Sequence, residues 1–246
     1  MNIIWLDTVD STNSEALRRL GEFESGTVLV AREQTAGRGQ RGNRWFTQPG
    51  ANLTFSIILH FGALSPLAAA DAHWLNYLTA DAVAAFLSGF GVACSVKWPN
   101  DVYVGRRKIC GILIENSLKG AWVGSSVIGV GININQEEFP QLAGATSLYR
   151  CCGRKQNLDD CLEAVTAIFE RRLPMLFDPS LRPSLFDSYS QKLFQKGVSA
   201  RYHDLLRDRE YTGILQGVDP EGRLCILDRE SGETYRYRFK EVSYIL

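Results

Sequence analysis

Between two apolar runs, TVLVA at Thr27–Ala31 and LTFSIIL at Leu53–Leu59, the chain carries QTAGRGQRGNRW, Gln34 to Trp45. Few folds accommodate such a stretch. It alternates three glycines, Gly37, Gly39 and Gly42, with three arginines, Arg38, Arg41 and Arg44. Glycine lets the backbone approach a ligand closely and reach positive φ. Bare N–H groups in such a turn form an anion-binding nest, and arginine forks match phosphate or carboxylate. Trp45 adds a flat face for a base or ring. The unit reads as strand, loop, strand, with the loop folding over an anionic, ring-bearing ligand.

Gly37 to Gly42 spells G-x-G-x-x-G, yet a dinucleotide fingerprint opens a helix and places an acid about 20 residues on. Here a turn and a strand follow, and the next acid is Asp71. An Arg-Gly nucleic-acid tail repeats and stays disordered; this run occurs once, between strands. A solvated basic hairpin tip has no need of three arginines, three glycines and a tryptophan together.

Around this loop the pattern alternates strands and helices. Asn2–Leu6 reads as a strand. Thr12 and Glu15 fit a capping box for a helix with Ala16, Leu17 and Leu20 inward. Pro66–Leu87 predicts a long helix with a wide apolar face, Asp71 and Asp81 in solvent, and an end at Gly89 and Gly91. Val92–Trp98 predicts a strand, Pro99-Asn100-Asp101 a turn, and Val102–Val104 with Lys108–Glu115 a hairpin. Gly111 inside that apolar strand implies close approach of another group. Ser125–Asn135 predicts a further strand and Glu137–Gly153 an irregular stretch. Leu158–Phe177, ended or kinked by Pro174, and Leu181–Phe194 predict helices. From Lys196 short strands with tight turns predict a small barrel.

At 246 residues the chain holds one large domain, or a large one and a small one. Lys+Arg and Asp+Glu are 27 each, so no global field draws it to nucleic acid or membrane. The loop is a local cationic site on a neutral protein. The six cysteines form no C-x-x-C pair, which fits reduced thiols in the cytoplasm. His60, His73 and His203 have no ligand spacing, so neither zinc nor haem is expected. The N-terminus lacks a signal-peptide pattern, and no apolar run reaches the length of a membrane span.

The loop, with DSTNSEA at Asp10–Ala16, KWPND at Lys97–Asp101, RRKICGILIE at Arg106–Glu115 and GVGININ at Gly129–Asn135, resembles biotin protein ligases. The five motifs stand in family order and span most of the first 150 residues. The resemblance implies an α+β fold: a central mixed β-sheet with packed helices over residues 1–194, then an SH3-like β-barrel over 195–246. It is to the short form of the family, without an N-terminal helix-turn-helix, so operator binding is not expected. The implied activity is ATP-dependent conversion of biotin to biotinyl-AMP and transfer to a lysine of a biotin carboxyl carrier protein. No DNA or membrane partner is implied, and the protein is expected as a monomer or homodimer.

In that resemblance Ser11, Thr12 and Asn13 bind the biotin ureido end, and the biotin site continues through Gln34, Arg38, Gly39, Gln40, Lys108 and Gly111. The nucleotide is met by Arg41, Trp45, Lys97, Asn100 and Asn133. The chemistry agrees with these residue types. A carboxylate and the α-phosphate of ATP are both anionic, so positive charge must sit where they meet. Arg38, Lys97 and Lys108 are the candidates, with Asp101 and magnesium on the polyphosphate. Gln40 and Asn43 stand where the family frequently has arginine, which lowers the charge of the loop. Lipoate or octanoate transferase-ligases share the fold but usually carry a different Arg- and Gly-rich segment. A binding module without catalysis is disfavoured by intact Arg38, Lys97, Asp101 and Lys108.

Overall fold

The computed structural model describes residues 1–140, 142 and 144–245, with Arg41 described for its backbone alone. The first sheet has seven strands: β1 (Asn2–Val9), β2 (Thr27–Gln34), β3 (Leu53–His60), β4 (Ser95–Lys97), β5 (Asp101–Val104), β6 (Arg107–Lys119) and β7 (Trp122–Ile132). Their order is β1-β2-β3-β7-β6-β5-β4; β1 and β2 run parallel and the other neighbours antiparallel. Helices α1 (Thr12–Arg18), α2 (His73–Ser88), α3 (Leu148–Cys152), α4 (Leu158–Arg172) and α5 (Arg182–Gln191) complete this part.

Side chains alternate across a strand, and here both faces are covered. Val28, Val30, Ile57, Ile128 and Val130 belong to the large core shared with α2 and α4. Leu29, Ile58 and Val127 form a second cluster with Ala16 and Leu17 of α1. In β7 the run Ile128-Gly129-Val130-Gly131-Ile132 keeps the alternation but leaves only hydrogen on the α1 face. Gly111 of β6 pairs with Gly131, and Leu113 with Gly129. The three glycines therefore share one face and leave a bare patch beside the α1 cluster.

A second antiparallel sheet follows, β8 (Ser199–Asp204), β9 (Arg209–Val218), β10 (Leu224–Asp228), β11 (Thr234–Tyr237) and β12 (Val242–Ile245), in the order β11-β10-β9-β8-β12 of an SH3-like barrel. Its first strand begins at Ser199. Between the sheets, residues 192–194 run against β4: Val96 N donates to Lys192 O at 2.7 Å and Phe194 N to Val96 O at 2.8 Å. Among the described residues no helix is long and apolar enough to cross a membrane.

Several local expectations are corrected. The long helix starts at His73, not Pro66, because the preceding residues lie against β7: Val123 N donates to Leu67 O and Ala69 N to Ala121 O. Thr12 caps nothing. Ser11 is the N-cap, without a side-chain cap bond, and Thr12 turns to other partners. Asp81 is buried, where Arg172 at 3.1 Å, Lys192 at 3.0 Å and Ser188 at 2.6 Å compensate it. A buried carboxylate persists only with such pairing. The irregular stretch contains α3, capped by the Ser147 side chain accepting from Arg150 N.

Candidate active site

The bare glycine patch is the floor of a cavity of about 180 Å³. The β1–α1 turn gives one wall with Ser11, Thr12 and Asn13; the glycine-arginine loop gives another with Arg38, Gly39, Gln40 and Trp45. Gln34, Asp101, Lys108 and Gly111 complete the sequence-predicted residues that line it. A strand–loop–strand unit and a helix entry thus meet over one stripped face of the sheet.

At the α1 end the polar groups fix one another. Thr12 N donates to Gln34 Oε1 at 2.8 Å. Asn13 Nδ2 donates to Glu115 Oε2 at 2.8 Å and Leu113 O at 3.2 Å. Ser56 Oγ, fully buried on β3, lies 2.7 Å from Thr12 Oγ1 and 2.6 Å from Asn13 Oδ1. These partners set the Asn13 amide with Oδ1 toward Ser56 and Nδ2 toward Glu115. A Cβ on Gly129 would stand 2.8 Å from Asn13 Cγ, so only glycine lets Asn13 occupy this place.

At the opposite end Lys108 Nζ pairs with Asp101 Oδ2 at 2.8 Å and lies 5.6 Å from the centre of the Trp45 ring. The Lys108 backbone is held on both sides, its N–H donating to Gly144 O at 2.7 Å and its carbonyl accepting from Thr146 N at 2.9 Å. Trp45 lies over the floor: a Cβ on Gly131 would come 2.5 Å from its Nε1, and one on Gly111 2.9 Å from its Cζ3. Its Nε1 is buried with no hydrogen-bond partner among the described residues.

The loop is pinned at two points. Arg38 meets Glu115 through Nη2–Oε1 at 2.7 Å and Nη1–Oε2 at 3.2 Å. Gln40 Nε2 donates to Asn100 Oδ1 at 2.8 Å and Ile112 O at 3.2 Å. Asn100 in turn donates to Asn76 Oδ1 at 3.0 Å. Asn100 therefore sits behind Gln40 rather than on the cavity wall.

Three more of the expected residues are engaged by the protein itself. Lys97 points away from the cavity, over the rings of Tyr103 and Tyr244 at 5.5 and 5.1 Å, and burial pulls its ammonium below the usual lysine range. Asn133 is buried; its Nδ2 donates to Thr146 O at 2.9 Å, bracing the segment that holds Lys108, while its Oδ1 has no partner among the described residues. Asp101 is engaged by Lys108, and among the described residues no group of three or more His, Cys, Asp or Glu could hold a metal. The donor set does not fit a resident metal ion. The Arg41 side chain lies outside the described residues.

Sequence reading missed Ser56, Glu115, Gly129 and Gly131 as parts of the site. Ser56 carried a signal, a hydroxyl inside the apolar run LTFSIIL. Gly129 and Gly131 carried a stronger one, glycine at every second position of a strand.

A family model described as the biotin/lipoate A/B protein ligase family matches residues 5–133. The bifunctional ligase/repressor BirA of Escherichia coli is 34% identical over 224 residues, covering 90% of this chain and 68% of that protein. The biotin–[acetyl-CoA-carboxylase] ligase of Mycobacterium tuberculosis is 29% identical over 222 residues, covering 88% of this chain and 79% of that one. Among solved structures, the biotin protein ligase of Aquifex aeolicus in complex with biotin and ATP superposes with a TM-score of 0.77 at 30% identity, covering 98% of this chain and 97% of that chain.

Proposed function

Because the chain belongs to the biotin/lipoate A/B protein ligase family, as an enzyme of the biotin protein ligase kind, we propose that it forms biotinyl-AMP and passes the biotinyl group to a lysine of a carboxyl carrier protein. The observation that carries this reading is the polarity of the cavity. One end offers neutral donors and acceptors at Thr12 and Asn13, suited to a ureido ring. The other offers the Lys108 ammonium, suited to a carboxylate that must meet a phosphate.

In the first step a biotin carboxylate oxygen attacks the α-phosphorus of ATP and pyrophosphate leaves. Lys108 neutralises charge where the two anions meet, and Trp45 offers its face to the adenine. Magnesium accompanies the triphosphate of the ATP substrate, whose oxygens supply ligands that the protein does not. In the second step the carrier amine attacks the acyl carbon, AMP leaves with the bonding electron pair, and the amine gives up a proton. The mixed anhydride is labile to water, so the pinned loop over the cavity has a purpose. We assign these residues ligase chemistry in the cytoplasm.

The test is pyrophosphate exchange into ATP. Exchange that depends on biotin, followed by labelling of a carrier domain, is the expected result. Exchange supported by lipoate and not by biotin would overturn the reading in favour of the lipoate branch.

Gln40 supplies a second test. Its amide makes two hydrogen bonds to the sheet side of the cavity, and Gln40→Gly removes both. Each neutral hydrogen bond contributes about 1 kcal/mol, so losing both should quicken release of preformed adenylate about thirtyfold. A chase of labelled adenylate against unlabelled biotin and ATP measures this, and bystander lysines should be labelled more. Unchanged release would remove Gln40 from the closure of the loop.

A further inference from the structure

The KWPND segment faces two ways. Its first three residues turn toward the second sheet and the segment leading to it. The Lys97 ammonium lies over two rings, Tyr103 of β5 at 5.5 Å and Tyr244 of β12 at 5.1 Å, and Phe194 packs on both of these rings, its centroid 5.5 Å from Tyr103 and 6.1 Å from Tyr244. Trp98 Nε1 donates to Gly222 O at 3.2 Å, and the Trp98 and Phe239 ring centres are 6.2 Å apart. Pro99 O accepts from Tyr189 Oη at 2.7 Å. The last two residues turn toward the cavity, where Asn100 takes the Gln40 amide and Asp101 grips Lys108. Lys97 and Asp101 are direct partners across the β4–β5 pair.

From this arrangement we propose that Lys97–Asp101 is a strap by which the second sheet sets the position of Lys108, with Lys97 a positioning residue and not a ligand of the phosphates. The ammonium is held by ring faces, an attraction that strengthens as water is excluded. A shift of β12 moves Lys97, its cross-strand partner Asp101 moves with it, and the Asp101 carboxylate carries Lys108. The phosphate reading of Lys97 requires its Nζ to leave the rings and reach a cavity that it does not line. Burial disfavours the charge of Lys97, and the ring faces oppose that penalty by replacing part of the water the ammonium loses, which keeps it where the rings are.

The inference rests on the proposed ligase reaction, and the two fail separately. Biotin-dependent exchange by the wild type tests the reaction; the ratio of each variant to wild type tests the strap. With the full chain, Lys97→Met should lower kcat for exchange about tenfold while KM for ATP stays within about twofold, and Lys97→Arg, which keeps a cation over the rings, should recover most of the loss. Tyr244→Phe keeps the ring and should match wild type; Tyr244→Leu should behave as Lys97→Met. In thermal unfolding, which needs no turnover, the Lys97→Met/Tyr244→Leu double variant should be no less stable than the worse single variant. A KM for ATP raised about tenfold in Lys97→Met, with no rescue by arginine, would overturn the proposal and restore Lys97 to the phosphates. Additive losses of stability in the double variant would also overturn it. If Tyr244→Leu does not fold, the split between kcat and KM in the two Lys97 variants decides.

Discussion

Lys108→Ala is expected to lower biotin-dependent pyrophosphate exchange by about 10³-fold, the scale of losing one preorganised group at the developing charge. The loss exceeds that of a simple deletion because of what remains. Asp101 pairs with Lys108 in the free enzyme, and without the lysine its carboxylate stands uncompensated beside two anionic substrates. The variant therefore replaces an attraction with a repulsion. Two results follow. Adding Asp101→Asn to Lys108→Ala should recover about tenfold of the exchange, since it removes the repulsion without restoring the attraction. Supplying synthetic biotinyl-AMP should restore carrier labelling in part, because the acyl phosphate is already made. Near-normal exchange by Lys108→Ala, or a double variant slower than the single, would show that charge at Lys108 does not drive the first step. The lysine is well placed for such a role. Its backbone is pinned to residues 144–146 and its ammonium is held by Asp101, so both are in place before any ligand arrives.

Much of this fold could be read from the sequence, for a physical reason. The apolar runs at β2 and β3 alternate against helices on both faces, and such runs have few other places to go. The glycine-arginine loop, the turn before α1 and Gly111 were legible because their chemistry is local. What was not legible depended on pairing between distant strands. Asp81 reads as a solvated acid on a helix until α4 and the end of α5 bring Arg172 and Lys192 to it. Lys97 reads as a bare cation within a motif, and the ring of Tyr244 reaches it only through β12. Residues 66–72 carry helical propensity, yet Leu67 and Ala69 bond to Val123 and Ala121, and only a 3-10 turn forms at Ala69–Asp71. Ser56 and Glu115 are single polar residues on strands, and their importance appears only when β3 and β6 deliver them to Asn13.

The floor of the cavity gives the second large effect. Gly129→Ala should weaken biotin binding by about 10²-fold, while Gly131→Ala should act mainly on the nucleotide. The two glycines are alike in sequence and differ in what they support. A methyl at Gly129 meets the Asn13 amide, 2.8 Å from Cγ and 3.0 Å from Nδ2 and closer still to Oδ1. That amide cannot yield cheaply, since Ser56, Leu113 and Glu115 fix it from three sides. Moving it leaves buried polar groups unsatisfied, at about 1–3 kcal/mol, and removes the proposed partner of the ureido ring; roughly 2.7 kcal/mol corresponds to the hundredfold. A methyl at Gly131 instead meets the edge of the Trp45 indole, the end of a side chain carried on a loop, whose Nε1 has no partner to lose among the described residues. The ring can lift, and the contact at risk is the one proposed for the adenine. Titration calorimetry with biotin alone, then with ATP at saturating biotin, separates the two sites. Equal loss of biotin affinity in both variants would mean that the bare patch acts as one surface, without the division into a ring end and a nucleotide end.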